Sequence, residues 1–260
     1  MTMRSKFNLN LADLKRPSML LQGVANSGKT HLGGDMLREE KQYGPVRFIN
    51  IKGEDGWSSI AHMGLGDVGI TVDAAQDVRD LAAEFVKDKV HAAVLDGGRL
   101  LYNLILIEQV QSDPKTATAV RLPDARYDGE KSKGYWSQGR FQMEQTITLL
   151  KTAVNVLLVT STSAKDVHEV TGATQIAPDI YGKMGSGLIG LFDFSGYIKA
   201  EVLGPGRVQR TVSFEVRNDV QTRQRLAFPL KESIVLPEGF GGWAKIKAAL
   251  TAGLGKEEHK

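Results

Sequence analysis

The chain contains no cysteine, and this absence excludes several kinds of site. Disulfide frameworks, thiolate zinc sites and cysteine nucleophiles all require thiols, and a chain without them agrees with a reducing compartment. No apolar run approaches the roughly 18 to 20 residues that a membrane-spanning helix requires. Residues 1–15 contain Asp13 and alternating polar residues where a secretory leader would have an apolar core. We therefore expect a soluble protein of the cytoplasm with no membrane partner.

An excess of charge of one sign is also missing. The 33 basic and 30 acidic side chains leave a net charge of +3, which neither demands nor forbids an anionic partner. Glycine, in contrast, is abundant at 28 of 260 residues, above its usual share of about 7%. We expect some of this backbone to turn sharply or to approach a ligand closely.

Apolar and helix-compatible segments alternate along the chain. We predict strands at residues 18–22, 46–51, 70–72, 91–96 and 154–160, and helices at residues 31–42, 74–87, 136–153 and 243–250. This alternation is typical of an α/β fold with a mostly parallel central sheet flanked by helices. Residues 196–203 and 207–217 predict an antiparallel hairpin that extends the sheet near the C-terminus. We expect one domain over residues 1–260, with a core at about 17–195 and a C-terminal hairpin and helix at about 196–255.

The sequence GVANSGKT, residues 23–30, satisfies the phosphate-loop pattern. Gly23 and Gly28 allow the backbone to curl so that its N–H groups converge on a phosphate at a helix N-terminus. Lys29 would neutralise the β- and γ-phosphates, and the Thr30 hydroxyl would bind Mg2+. A purely structural glycine-rich turn would not require a lysine at this point. The expected nucleotide contacts are Gly23, Val24, Ala25, Asn26, Ser27, Gly28, Lys29, Thr30 and His31.

Asp96 is the candidate for the second magnesium residue. It follows four apolar residues, 92–95, at the end of a predicted strand, where a phosphate-loop protein needs a carboxylate. The alternative interpretation is a helix N-cap, because two glycines and a helical segment come next.

Two further strand ends carry polar residues that face the same predicted edge of the sheet. Glu54 and Asp55 come just after the second strand, where one of them could orient or deprotonate water; a solvated acidic turn is the alternative. Hydroxyl residues 160–163 follow the fifth strand and could sense the γ-phosphate. Ordinary helix capping is the alternative there.

Residues 111–134 lack an apolar period and contain several turn signals, so we predict a long loop. Its basic residues would track the phosphates of a single strand while nearby aromatic faces stack on bases; a solvated loop is the alternative. The candidate nucleic-acid contacts are Lys115, Arg121, Arg126, Lys131 and Lys133.

This layout resembles a RecA-like P-loop ATPase core, and most closely the phage nucleotide-binding proteins that include RecA-like single-strand annealing proteins. The resemblance covers most of the chain. It rests on the phosphate loop, then on acidic Glu54 after a strand, then on Asp96 and on the strand ending at Thr160 and Ser161. Residues 177–183, with a proline followed by a glycine–lysine pair, and residues 223–229 complete it.

The resemblance implies roles for individual residues. Glu54 would activate water, although residues 52–53 separate it from its strand and Asp55 could take its place. Ser161, or Thr162, would match the polar sensor. Lys183 would act across a subunit interface on a neighbour's γ-phosphate, with a surface lysine as the alternative.

The same resemblance implies a Mg2+-dependent ATPase that binds ATP and ADP and forms a homo-oligomer, a ring or a filament. It would act on single-stranded DNA in recombination or annealing, with a single-strand binding protein as a possible partner. An ATPase serving DNA packaging or virion assembly through protein partners is the main alternative. A small-molecule kinase, with residues 121–140 as its lid, is less compatible with the late hairpin. Residues 114–142 hold six basic against three acidic side chains, and residues 199–231 hold seven against three.

Overall fold

The computed structural model describes residues 17–54, 56–112, 132–167, 174–180, 184–215, 219–224, 230 and 232–254. The strands are β1 (Ser18–Gly23), β2 (Val46–Ile51), β3 (Gly69–Val72), β4 (Ala92–Asp96), β5 (Val156–Val167), β6 (Thr174–Pro178), β7 (Phe194–Gly204), β8 (Arg207–Ser213), β9 (Arg223–Gln224) and β10 (Ile234–Leu236). The α-helices are α1 (Lys29–Glu40), α2 (Gly56–Ile60), α3 (Ala75–Lys87), α4 (Gly98–Gln111), α5 (Ser132–Ala153), α6 (Met184–Gly190) and α7 (Gly242–Leu254).

The strands form one sheet in the order β10-β8-β7-β1-β5-β4-β2-β3. The six strands from β7 to β3 are parallel to their neighbours. β8 and β10 add antiparallel strands at one side, and β6 pairs antiparallel with the distal half of β5. The predicted α/β fold, a mostly parallel sheet with late antiparallel strands, is confirmed.

Each face of the sheet has its own apolar core, because strand side chains alternate between faces. On β4, Ala93 and Leu95 belong to the core beneath α3, α4 and α5, whereas Ala92 and Val94 belong to the core beneath α1 and α7. Burial on both faces explains why the central strands are continuous apolar runs rather than alternating ones.

Several boundaries differ from the sequence prediction. β5 continues to Val167 rather than ending at residue 160, because β6 pairs with residues 163–167. α5 begins at Ser132, so residues 132–134 of the predicted loop are helical. α2 and the π-helical turn after it, Ala61–Leu65, were missed because they are short and contain glycine. No helix of the described part of the chain is long and apolar enough to cross a membrane.

The C-terminal helix is anchored to α1 by buried carboxylates. Asp35 accepts hydrogen bonds from the backbone N–H groups of Gly241 and Trp243, at the start of α7. Glu40 accepts from the indole of Trp243 at 2.8 Å and from Lys247 at 2.7 Å. These bonds fix the C-terminal segment beside the helix that follows the phosphate loop.

Candidate functional site

The phosphate loop joins β1 to α1 at the carboxyl edge of the parallel strands. Gly28 has φ +97° and Asn26 has φ +61°, conformations that let consecutive backbone N–H groups face one side. The Lys29 ammonium donates to the carbonyl oxygens of Gly23 at 2.9 Å and Val24 at 2.7 Å. The loop thus holds its lysine at the N-terminus of α1, where the helix dipole favours an anion.

Asp96 lies at the end of β4, beside the loop, and is 3% exposed. Its carboxylate accepts hydrogen bonds from the hydroxyls of Thr30, at 2.9 Å, and Thr160. The first residue flanking α4 is Gly97, and α4 has no side-chain cap. The carboxylate therefore bonds to the loop threonine and to β5, and the N-cap interpretation is wrong.

Glu54 reaches the same place through a tight turn after β2. Its backbone N–H donates to the carbonyl of Ile51 at 2.9 Å, and Gly53 adopts φ +101°. The turn absorbs the two residues that separate Glu54 from the strand. The glutamate stem lies close to Gly97, since an ideal Cβ on that glycine would be 2.9 Å from Glu54 Cγ.

Charges in this site perturb one another. Burial lowers the pKa of Lys29, while the nearby Asp96 and Glu54 act in the opposite direction. Burial, reinforced by the charge of Asp96, raises the pKa of Glu54. Burial also raises the pKa of Asp96, although the hydrogen bonds from Thr160 and Thr30 act against it. Two carboxylates and one ammonium thus lie together, with Asp96 buried and Lys29 and Glu54 half-buried, as in many catalytic sites.

A cavity of about 610 Å³ connects these groups. It brings together most of the residues predicted from the sequence: Ala25, Asn26, Gly28, Lys29, Thr30, His31, Glu54, Asp96 and Ser161. Gly23, Val24 and Ser27 belong to the loop but do not line the cavity; Val24 is 52% exposed.

Residues 160–163, which we expected to follow the fifth strand, lie within β5. Among the described residues their hydroxyls do not cap a helix, so the helix-capping interpretation is wrong. Ser161 donates to the carbonyl of Thr162 at 3.1 Å. The Thr162 hydroxyl is buried without a hydrogen-bond partner among the described residues and also lines the cavity. Of the two sensor candidates, Thr162 has the hydroxyl that is free to bond a ligand.

Sequence reasoning missed two arginines of this region. Arg210, on β8, lines the cavity from the side of the late hairpin. Arg99, in the first turn of α4, pairs with Asp179 and its charge lowers the pKa of Glu54, against the effect of burial. Arg210 belongs to no local motif and reaches the site only because β8 pairs with β7, which is next to β1. Arg99 lies on α4 just after Asp96 and is likewise part of no motif. Some predicted residues, namely Asp55, Lys115, Arg121, Arg126, Lys131 and Lys183, lie outside the described residues; Lys133 lies within α5.

The residues at the cavity suit Mg2+. Asp96 and Thr30 supply a carboxylate and a hydroxyl side by side, and Mg2+ prefers such oxygen ligands. Among the described residues no three His, Cys, Asp or Glu side chains cluster as a metal site. Mg2+ here would thus depend on phosphate and water oxygens for the rest of its shell, as is usual for this ion in phosphate-transfer sites.

A phosphate loop on a parallel sheet, with a magnesium carboxylate on a neighbouring strand, defines the class of P-loop nucleotide-binding proteins. The family model for an AAA domain matches residues 15–226, and the chain belongs to this family of P-loop ATPases. No curated protein shows significant similarity to the chain.

Proposed function

We propose that the protein is a Mg2+-dependent ATPase that acts on single-stranded DNA in recombination or annealing, as a cytoplasmic homo-oligomer. The observation that supports hydrolysis is the convergence of Lys29, Asp96 and Glu54 on one cavity at the carboxyl edge of the sheet. A protein that only stored nucleotide would not need a third charged group there. Within the described residues the Glu54 carboxylate accepts no hydrogen bond, and burial raises its pKa.

The residues divide the work as follows. The loop N–H groups and Lys29 bind the phosphates. Thr30 and Asp96 would hold Mg2+, which would supply positive charge to the phosphate oxygens. Glu54 orients the attacking water and accepts its proton. A raised pKa makes this carboxylate a stronger base than an exposed glutamate, which favours proton transfer near neutral pH.

The DNA part of the proposal rests on the resemblance and on where residues 113–131 attach. On one side, Glu108 near the end of α4 accepts from the backbone of Gln76 at 2.9 Å and pairs with Arg79 at 2.8 Å. These two residues belong to the first turns of α3, just beyond the carboxyl end of β3.

On the other side, the N-terminal half of α5 lies near α6 at Arg140. An ideal Cβ on Gly187 would be 3.8 Å from the Arg140 side chain. α6 follows β6, which pairs with the part of β5 beyond the phosphate-loop edge. The described residues on both sides of the basic segment thus lie towards the edge that carries the nucleotide site. This attachment supports coupling between DNA contact and hydrolysis.

The experiment is phosphate release by the purified protein with and without single-stranded DNA, at low and at moderate salt. We expect turnover that requires Mg2+, rises with single-stranded DNA and loses this stimulation as salt increases. Lys29→Ala is the control for contaminating ATPases. Turnover that no nucleic acid changes would refute the DNA part and leave the ATPase part standing.

An ATPase that works through protein partners, in DNA packaging or virion assembly, is the second candidate. The tip of the β7–β8 hairpin favours it, because Val202 is 76% and Leu203 53% exposed, an apolar surface suited to a protein contact. Under this alternative, single-stranded DNA would neither bind nor stimulate turnover, and replacing Val202 and Leu203 by serine would abolish a stoichiometric protein complex while leaving basal hydrolysis intact.

A further inference from the structure

Arg210 lies in the middle of β8, a strand that is paired on both sides. Its backbone is opposite Ala200 of β7 on one side and Leu236 of β10 on the other, so two antiparallel ladders fix its position. Its side chain is on the same face as Val212, which is buried in the core beneath α1. The arginine therefore projects towards the helix that follows the phosphate loop.

The side chain lies directly against the loop. An ideal Cβ on Gly28 would be 2.6 Å from Arg210 Nε and 2.7 Å from Arg210 Cδ. A side chain at position 28 would have to displace the end of this arginine. Glycine at position 28 thus permits both the positive φ and the close approach of the arginine.

The guanidinium has an unused donor. Arg210 Nε is buried and has no hydrogen-bond partner, and within the described ranges no carboxylate pairs with this arginine. A buried donor without an acceptor is costly, so a site of this kind gains from an anion that supplies one. The arginine fork matches phosphate oxygens in particular.

The order of the sheet shows which side of the loop the arginine serves. β1 lies between β7 and β8 on one side and β5, β4 and β2 on the other. Asp96 and Glu54 lie on the side of β4 and β2, where we place the γ-phosphate and the attacking water. Arg210 approaches from the opposite side, where it shares a small cavity with His31, the residue after Thr30.

We propose that Arg210 is a phosphate ligand supplied by the same chain, binding the α- or β-phosphate of the nucleotide. This inference rests on the proposed nucleotide-binding function and adds a residue from outside the loop. It has a second consequence. One of the seven basic side chains of residues 199–231, that of Arg210, would bind the nucleotide and not DNA. The hairpin thereby becomes part of the nucleotide site.

The test measures binding of Mg2+–ADP and of inorganic pyrophosphate by calorimetry. Arg210→Gln keeps the aliphatic stem and a polar end but removes the guanidinium and its charge, and we expect both ligands to bind about 10- to 100-fold more weakly. Arg207→Gln is the matched control, since Arg207 is exposed on the same strand and does not line the cavity. It should leave both affinities within about twofold of the wild type.

Pyrophosphate separates a phosphate contact from a nucleoside contact. Weaker ADP binding with unchanged pyrophosphate binding would overturn the assignment, because Arg210 would then contact ribose or base. Wild-type affinity for both ligands in Arg210→Gln would also overturn it. If that variant does not unfold cooperatively, Arg210→Lys is used instead; it keeps the charge but not the fork, and should still bind pyrophosphate more weakly.

Failure of the proposed function has a different signature. In that case the wild-type protein would bind neither ligand, or would bind both as Lys29→Ala does. A wild-type protein that binds ADP through Lys29 but ignores Arg210 refutes this inference alone.

Discussion

Gly56→Ala offers a sharp test of the site, because it crowds the Asp96 carboxylate without changing any charge. An ideal Cβ on Gly56 would lie 2.0 Å from Asp96 Oδ2, whereas real Cβ contacts are almost never below 3.0 Å. Either the carboxylate or helix α2 must therefore move by about 1 Å. Asp96 is buried and accepts hydrogen bonds from Thr30 and Thr160, so a shift of its carboxylate also disturbs these two bonds.

Two magnitudes follow from this clash. Overpacking of this size costs about 1–3 kcal/mol of unfolding free energy. A displacement of about 1 Å in a group that positions the reaction can reduce turnover about 100-fold. We expect Mg2+-dependent phosphate release to fall by about that factor and to need more Mg2+ for saturation, while ADP still binds through the loop and Lys29.

Gly66→Ala is the matched control. Gly66 has helical φ −62° and ψ −17°, and no atom lies within 4 Å of its ideal Cβ. Turnover should be unchanged, and stability should be equal or higher by about 0.4–1 kcal/mol. Wild-type turnover and wild-type Mg2+ dependence in Gly56→Ala would refute the expected displacement of the Asp96 carboxylate.

Four further variants test separate parts of the reasoning. Lys29→Ala should abolish ADP binding by calorimetry while unfolding remains cooperative; retained affinity would contradict the phosphate-loop assignment. Glu54→Gln should bind ATP but release phosphate orders of magnitude more slowly, and normal turnover would remove Glu54 from the mechanism. Burial raises the pKa of Asp96 in the folded state. The protonated Asp96 therefore contributes its full stability below the unfolded-state pKa of about 3.9, and this contribution is lost as the pH rises through the folded-state pKa. Asp96→Asn should therefore stabilise the protein more at pH 8 than at pH 4 in denaturant titrations; an equal effect at both would contradict this. Glu40→Ala should cost about 2–4 kcal/mol in such titrations, since it strands the buried indole of Trp243, and a loss below about 1 kcal/mol would show that α7 is held otherwise.

The chemistry of the nucleotide site could be predicted because its signals are local. The phosphate loop occupies eight consecutive residues, and Asp96 directly follows an apolar strand. Parallel strands align their carboxyl ends, so the alternation of strands and helices was enough to expect these residues at one edge. The turn that returns Glu54 to that edge depends on Gly53, which lies next to it in the chain.

Other features could not be read from local patterns. An aspartate at position 96 agrees equally well with a helix cap and with a magnesium ligand. The two interpretations are distinguished only by its hydrogen bonds with Thr30 and Thr160. Likewise, Ser161 and Thr162 are adjacent and chemically alike, and their hydrogen bonds distinguish them. The extension of β5 depends on β6, which has little apolar character of its own.

The amino-acid sequence by itself therefore determined the class of fold, the phosphate loop and the carboxylates that face it, because periodicity and short motifs act over a few residues. Only the tertiary structure decided that Arg210 of the late hairpin packs on Gly28. That contact depends on the order of the strands, because β7 alone separates β8 from β1, the strand that leads into the phosphate loop. The free energy that selects such an order is spread over two cores and many strand pairings, and no single segment of the sequence encodes it.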